Sequence, residues 1–95
     1  MDLSQNLQQA TSQLAQAQQK FDKADNELRL MRSSREAFIK SLRYTGLSYA
    51  HAKSKYDNCH DEQDHIHHQA LLNLQHAEQH RSSLILQAKD QAVAA

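Results

Sequence analysis

The stretch that decides the fold is residues 3–28, which read LSQNLQQATSQLAQAQQKFDKADNEL. Apolar residues recur here in alternating steps of four and three. They are Leu3, Leu7, Ala10, Leu14, Ala17, Phe21, Ala24 and Leu28. A 3.5-residue repeat keeps one stripe of a helix facing a partner helix in a left-handed supercoil. The stretch therefore predicts a coiled-coil helix.

The same repeat continues beyond residue 28 with only two polar interruptions, Arg35 and Thr45. Its further members are Met31, Arg35, Phe38, Leu42, Thr45, Tyr49, Ala52, Tyr56 and Cys59. The 95 residues include no proline and one glycine, and glutamine, alanine and leucine, all good helix formers, are abundant. We predict an all-α fold with a single helical domain over residues 1–95.

The expected architecture is a long antiparallel helical hairpin. Helix one covers about 3–56, and a turn at about 57–61 is suggested by the sequence DNCHD. Helix two covers about 62–93, where Ala70, Leu74, Ala77, Arg81, Leu84 and Ala88 repeat in the same steps. The alternative is a break near Gly46, which would give a three-helix bundle.

A turn at 57–61 has a consequence for the first helix. Residues that face each other would have numbers summing to about 119, so that helix two ends opposite residue 25. The apolar stripe before that point would have nothing from its own chain to cover it. We therefore interpret Leu3, Leu7, Ala10, Leu14, Ala17, Phe21 and Ala24 as a seam for a protein partner or a second copy. A homo-oligomer is expected, with a dimer favoured.

Charge is balanced overall but unevenly distributed, with eleven basic and eleven acidic residues. The central third is basic and both flanks are acidic. A basic ridge at Arg29, Arg32, Lys40 and Arg43 falls near one helical stripe. It could contact nucleic acid phosphates or an acidic protein surface, although it lacks interleaved aromatic residues.

The densest set of metal-ligand types lies at residues 59–68, and its best candidates are Cys59, His65 and His68. Zinc requires about four N, S or O donors in tetrahedral arrangement, and the spacing here matches no closed Cys/His site. A solvated polar helix start explains the same residues more simply. No cofactor is predicted, and a metal-responsive protein remains the weaker alternative.

The function predicted from these features is binding rather than catalysis, because neither a nucleophile with an adjacent base nor a glycine-rich phosphate loop is recognisable. The chain is expected to be a cytoplasmic adaptor, chaperone, inhibitor or assembly subunit that uses heptad packing. No apolar stretch approaches the roughly 20 residues of a membrane span. A nucleic-acid-binding hairpin dimer that uses the 29–43 ridge is the alternative. Small bacterial and phage helical hairpins share this architecture, which by itself indicates nothing about activity.

Overall fold

The computed structural model describes residues 3–94. Three helices account for nearly all of them: α1 (Leu3–Ser33), α2 (Arg35–Tyr44) and α3 (Tyr49–Ala94). No strand occurs within this range. The predicted all-α class is confirmed. None of the helices in this part of the chain has the length and apolarity needed to span a membrane.

The chain turns at residues 45–48, where the alternative break was expected. Gly46 has φ +102, a left-handed conformation that glycine adopts at little cost. Its N–H donates to the carbonyl of Arg43 at 3.0 Å, which closes the end of α2. Ser48 caps the start of α3: its Oγ accepts a hydrogen bond from the backbone N–H of His51 at 3.2 Å.

The predicted turn at 57–61 is wrong, and so are the predicted boundaries of helices one and two. The DNCHD segment lies inside α3, which runs without interruption from Tyr49 to Ala94. The seam of α3 passes through this region at Gln63 and His67, which are partly buried. The seam positions on either side of them, Cys59 and Ala70, are eleven residues apart. A spacing of eleven residues is a stutter, which locally unwinds a coiled coil without ending the helix.

A local break separates α1 from α2 at Ser34. The Oγ of Ser34 donates to the carbonyl of Leu30 at 2.7 Å, and the Oγ of Ser33 donates to the same carbonyl at 3.0 Å. Such bonds compete with the helical backbone pattern and bend helices. Backbone bonds from Ser34 to Leu30 and from Phe38 to Ser34 persist, so the helical direction continues into α2.

The described residues form two compact units. Unit 1 contains residues 3–21 and 70–94, and its buried residues are Ala10, Ala70, Leu74 and Leu84. Unit 2 contains residues 22–69. Its core is Ile39, Ala52 and Tyr56, against which Met31, Phe38 and Leu42 pack.

The helix register follows from the position of the turn. In unit 2, Arg32 contacts His60 and Asp25 contacts His67, so the paired numbers sum to 92 and the helices are antiparallel. In unit 1, Arg81 contacts Thr11, with the same sum of 92. The predicted sum of 119 is wrong because it assumed a turn about a dozen residues too late.

Candidate binding surface

The predicted partner seam on α1 faces the chain's own α3. In unit 1, Ala10 is 1% exposed, and Leu3, Leu7, Leu14, Ala17 and Phe21 are partly buried. In unit 2, Ala24 is buried. The expectation that nothing from the same chain covers this stripe is therefore wrong, because the earlier turn leaves α3 long enough to reach it.

Two arginines occupy seam positions, and each has a neutral partner. The guanidinium of Arg35 lies 5.5 Å from the ring centroid of Tyr56, a cation–π arrangement. The Nε of Arg81 donates to the Oγ1 of Thr11 at 3.1 Å, and that hydroxyl donates to the carbonyl of Leu7 at 2.9 Å. Each long side chain thus remains in the seam, and its guanidinium has a contact within its own unit.

A polar layer interrupts the seam of unit 2. The Nε2 of His67 and the Oδ1 of Asp25 are 3.0 Å apart, and the Oδ2 of Asp25 lies 3.0 Å from the Nε of Arg29. Nearby in sequence, the Oε1 of Gln63 is buried and has no hydrogen-bond partner among the described residues. A polar seam layer weakens packing but favours one register over others.

The candidate metal ligands are not brought together. Cys59 is a free, partly buried thiol, whereas His65 and His68 are exposed. His65 follows Cys59 by six positions, which places the two residues on different sides of α3. Across residues 3–94, no group of three or more His, Cys, Asp and Glu side chains is positioned to hold a metal ion.

The predicted basic ridge divides into two halves. Arg29 pairs with Asp25 within α1. Arg32 lies 3.7 Å from a carboxylate oxygen of Asp64 and donates from Nε to the Nε2 of His60 at 3.1 Å. These two arginines are therefore engaged inside unit 2. Lys40 and Arg43 lie instead on α2, beside the turn.

We call residues 35–55 the basic tip; it comprises α2, the turn and the first two turns of α3. It carries five cations against one acidic residue, Glu36, which is a net charge of +4. The cations are Arg35, Lys40, Arg43, Lys53 and Lys55. None of these five forms a salt bridge with any residue in the described chain. The tip therefore has positive charge available for an external partner.

Two tyrosines of the tip are exposed, and each lies against a cation. The Tyr44 side chain is 79% exposed and that of Tyr49 is 50% exposed. The ammonium of Lys40 is 5.9 Å from the Tyr44 ring centroid, and the guanidinium of Arg43 is 5.9 Å from that of Tyr49. Sequence reasoning missed both rings. The four-residue spacing of Lys40 and Tyr44 on one helix could have revealed the first pair.

Two shallow grooves flank Lys40 and Arg43, which line both. One has a volume of about 290 Å³ and includes Tyr49 and Ile39 in its lining. The other has a volume of about 400 Å³ and includes Tyr44, Gly46 and Leu47. Each groove thus combines the same two positive charges with one tyrosine. Grooves of this size accommodate a small organic group rather than a single water molecule.

No protein-family model, no curated protein and no solved structure matches this chain.

Proposed function

We propose that this protein is a non-enzymatic interaction protein that binds a negatively charged macromolecule through the basic tip. The observation that carries the proposal is the set of five cations that have no salt-bridge partner in the described chain. They lie together with two exposed tyrosines, whereas Arg29 and Arg32 are paired within unit 2. Groups of like charge raise the local potential and attract oppositely charged partners.

The coiled-coil seam has a different role in this proposal. Its apolar stripe packs within the chain, and so it supports the fold that carries the tip. A homo-oligomer remains a prediction, but the uncovered stripe that suggested it is absent from the structure. An interaction through the tip requires no second copy.

The proposal of binding without catalysis draws on the chemistry of the grooves. Their linings are arginine, lysine, tyrosine, leucine, isoleucine, glycine and Glu36. Positively charged and aromatic groups hold anions and flat rings, which favours binding. We further propose that the protein acts in the cytoplasm.

Heparin affinity chromatography in a rising NaCl gradient tests the proposal. The wild-type protein should be retained. The double variant Lys40→Glu/Arg43→Glu should elute at clearly lower salt, because two attractive contacts become repulsive. The control Lys20→Glu/Lys89→Glu changes net charge equally at two exposed lysines of unit 1, and it should elute close to the wild type. No retention of the wild type, or equal losses in both variants, would contradict the proposed site.

A further inference from the structure

We infer that the macromolecule bound at the basic tip is a single-stranded nucleic acid, whose bases stack on Tyr44 and Tyr49 while Lys40 and Arg43 contact its phosphates. This inference rests on the proposed function and specifies the class of partner. It differs from the ridge predicted from sequence, because Arg29 and Arg32 are engaged elsewhere and the tyrosines become central.

Two of the three tyrosines are exposed, Tyr44 and Tyr49. Tyr56, the third tyrosine, is 4% exposed, packs edge-on against Phe38, and donates its hydroxyl to the carbonyl of Met31 at 3.3 Å. Tyr44 and Tyr49 show no comparable burial. Leaving two aromatic rings in water gives up the hydrophobic stabilisation that burial would provide. The two exposed rings beside Lys40 and Arg43 are therefore available to stack on a ligand.

The basic tip combines cations and rings, the two kinds of group that bind the phosphates and bases of a nucleic acid strand. Lys40 and Arg43 line both grooves, and each groove contains one tyrosine. In a nucleic acid strand, phosphates alternate with bases. Lys40 and Arg43 can therefore bind a phosphate, while the tyrosine in each groove stacks on a neighbouring base. At Gly46, even an added Cβ would meet no atom within 4 Å, which leaves room for a base to approach the backbone.

Single strands fit these features better than the alternatives. In a duplex the base faces are already stacked, so they cannot reach the tyrosines. An acidic protein would use the cations, but acidic side chains have no flat π faces to stack on the two rings. Base–aromatic stacking tolerates any sequence because each base has a π face. We therefore expect little sequence preference.

The acidic residues that follow the tip limit the length of strand it can hold. Asp57, Asp61 and Glu62 are exposed on α3 directly after the last lysine of the tip. They would repel phosphates that extend in that direction. The footprint should be only a few nucleotides, as for the smallest single-strand sites.

Fluorescence anisotropy with labelled oligothymidylate and oligouridylate of about 15 nucleotides tests this inference, within the range of known single-strand sites. A duplex of equal length and poly-L-glutamate serve as competitors. The test variants are Tyr44→Leu and Tyr49→Leu, which keep an apolar side chain at exposed positions and leave the core intact. Each should weaken single-strand binding by about 5- to 150-fold, the range for loss of one stacked base. Retention on heparin should stay unchanged.

The controls separate stacking from charge. Leu30→Ala changes a residue that is 68% exposed on α1 and should leave binding unchanged. Lys40→Gln should weaken binding and reduce the slope of log K against log salt by about 0.7, the single-strand value for one phosphate contact. Circular dichroism should show equal helicity for all variants.

The outcomes distinguish the two proposals. Equal binding of single strand and duplex, unaffected by the tyrosine changes, would overturn the stacking inference and leave the proposed function standing. A second pair of results would also overturn the stacking inference, in favour of an acidic protein as partner. In that case the protein is retained on heparin, and poly-L-glutamate competes as effectively as the unlabelled oligonucleotide. Absence of heparin retention would overturn the proposed function itself.

Discussion

Units 1 and 2 both pack through a seam of α1 and α3 but differ sharply in the number of charged residues. Unit 2 contains sixteen charged residues, eight of each sign, whereas the described part of unit 1 contains five. Residues 3–19 of unit 1 include no charged residue at all. One repeat thus supports two different surfaces. The seam explains folding in both units, and only unit 2 carries a concentrated charge that an external partner could recognise.

The two seams also differ in the size of their buried residues. Unit 1 buries two alanines and two leucines, namely Ala10, Ala70, Leu74 and Leu84. Unit 2 buries Tyr56, which packs against Phe38 with ring centroids 5.7 Å apart. Large buried side chains make more contacts, so their removal leaves a larger cavity. We therefore expect the strongest single-residue effects on stability in unit 2.

The largest effect is expected from Tyr56→Ala. The change removes a ring that is 4% exposed, and should lower the free energy of unfolding by about 3–5 kcal/mol. Tyr56→Phe is the matched control and should lose only about 1 kcal/mol, because just the bond to the Met31 carbonyl disappears. Urea denaturation measures both. Equal losses in the two variants would show that ring packing is not the main contribution.

Gly46→Ala should have the next largest effect, because it forces a β-carbon into a left-handed conformation. The expected loss is about 1–2 kcal/mol. No neighbouring atom would clash with the added carbon, so backbone strain alone is responsible. Thermal unfolding of Gly46→Ala beside Gly46→Asn provides the test, since asparagine tolerates this conformation better than alanine. An alanine variant as stable as the wild type would contradict the turn at 45–48.

The polar layer of unit 2 should couple its two central residues by about 1 kcal/mol, the usual net value of one hydrogen bond. A double-mutant cycle with Asp25→Ala and His67→Ala measures this coupling. The bond between them spans 3.0 Å, and both side chains are about three-quarters buried or more. A coupling energy indistinguishable from zero would show that the layer does not help to fix the register.

Arg32→Gln should have the smallest effect on stability, below about 0.5 kcal/mol, because its contact with Asp64 is exposed on both sides. Any loss should disappear in high salt, where exposed charges are screened. The free energy of unfolding of Arg32→Gln and of the wild type, measured at low and at high NaCl, tests both expectations. A loss of several kcal/mol would mean that the ridge arginines are essential to unit 2.

Sequence reasoning identified the seam more accurately than the turn. The positions Ala52, Tyr56, Ala70, Leu74 and Leu84 were all assigned to the seam and are buried. Thr45 and Tyr49 also fall in step with the repeat, but both are exposed at the turn. Because these two residues are in phase with the repeat, the repeat gave no sign of the turn. At that turn Gly46 follows the end of α2 and Ser48 caps the start of α3.

The binding surface was less predictable for a related reason. Lys40 and Tyr44 are neighbours on one helix, so their contact follows from spacing. The contact of Arg43 with Tyr49 crosses the turn and depends on its geometry. Placing the turn at 57–61 also left Arg32 without His60 and Asp64, the partners that α3 provides, whereas Arg29 pairs with Asp25 inside α1. An error in one turn therefore misassigned both the pairing of charges and the coverage of the seam.

The central structural claim is that α3 covers the N-terminal stripe of α1 within a single chain. Cross-linking with a short bifunctional maleimide in a Cys59→Ser background tests it directly. The pair Thr11→Cys/Arg81→Cys should cross-link within one molecule, since these side chains are in contact. The control Thr11→Cys/Gln91→Cys moves the second thiol ten residues, or about 15 Å, along α3 and should not. Cross-links only between molecules, or equal yields from both pairs, would contradict the claim.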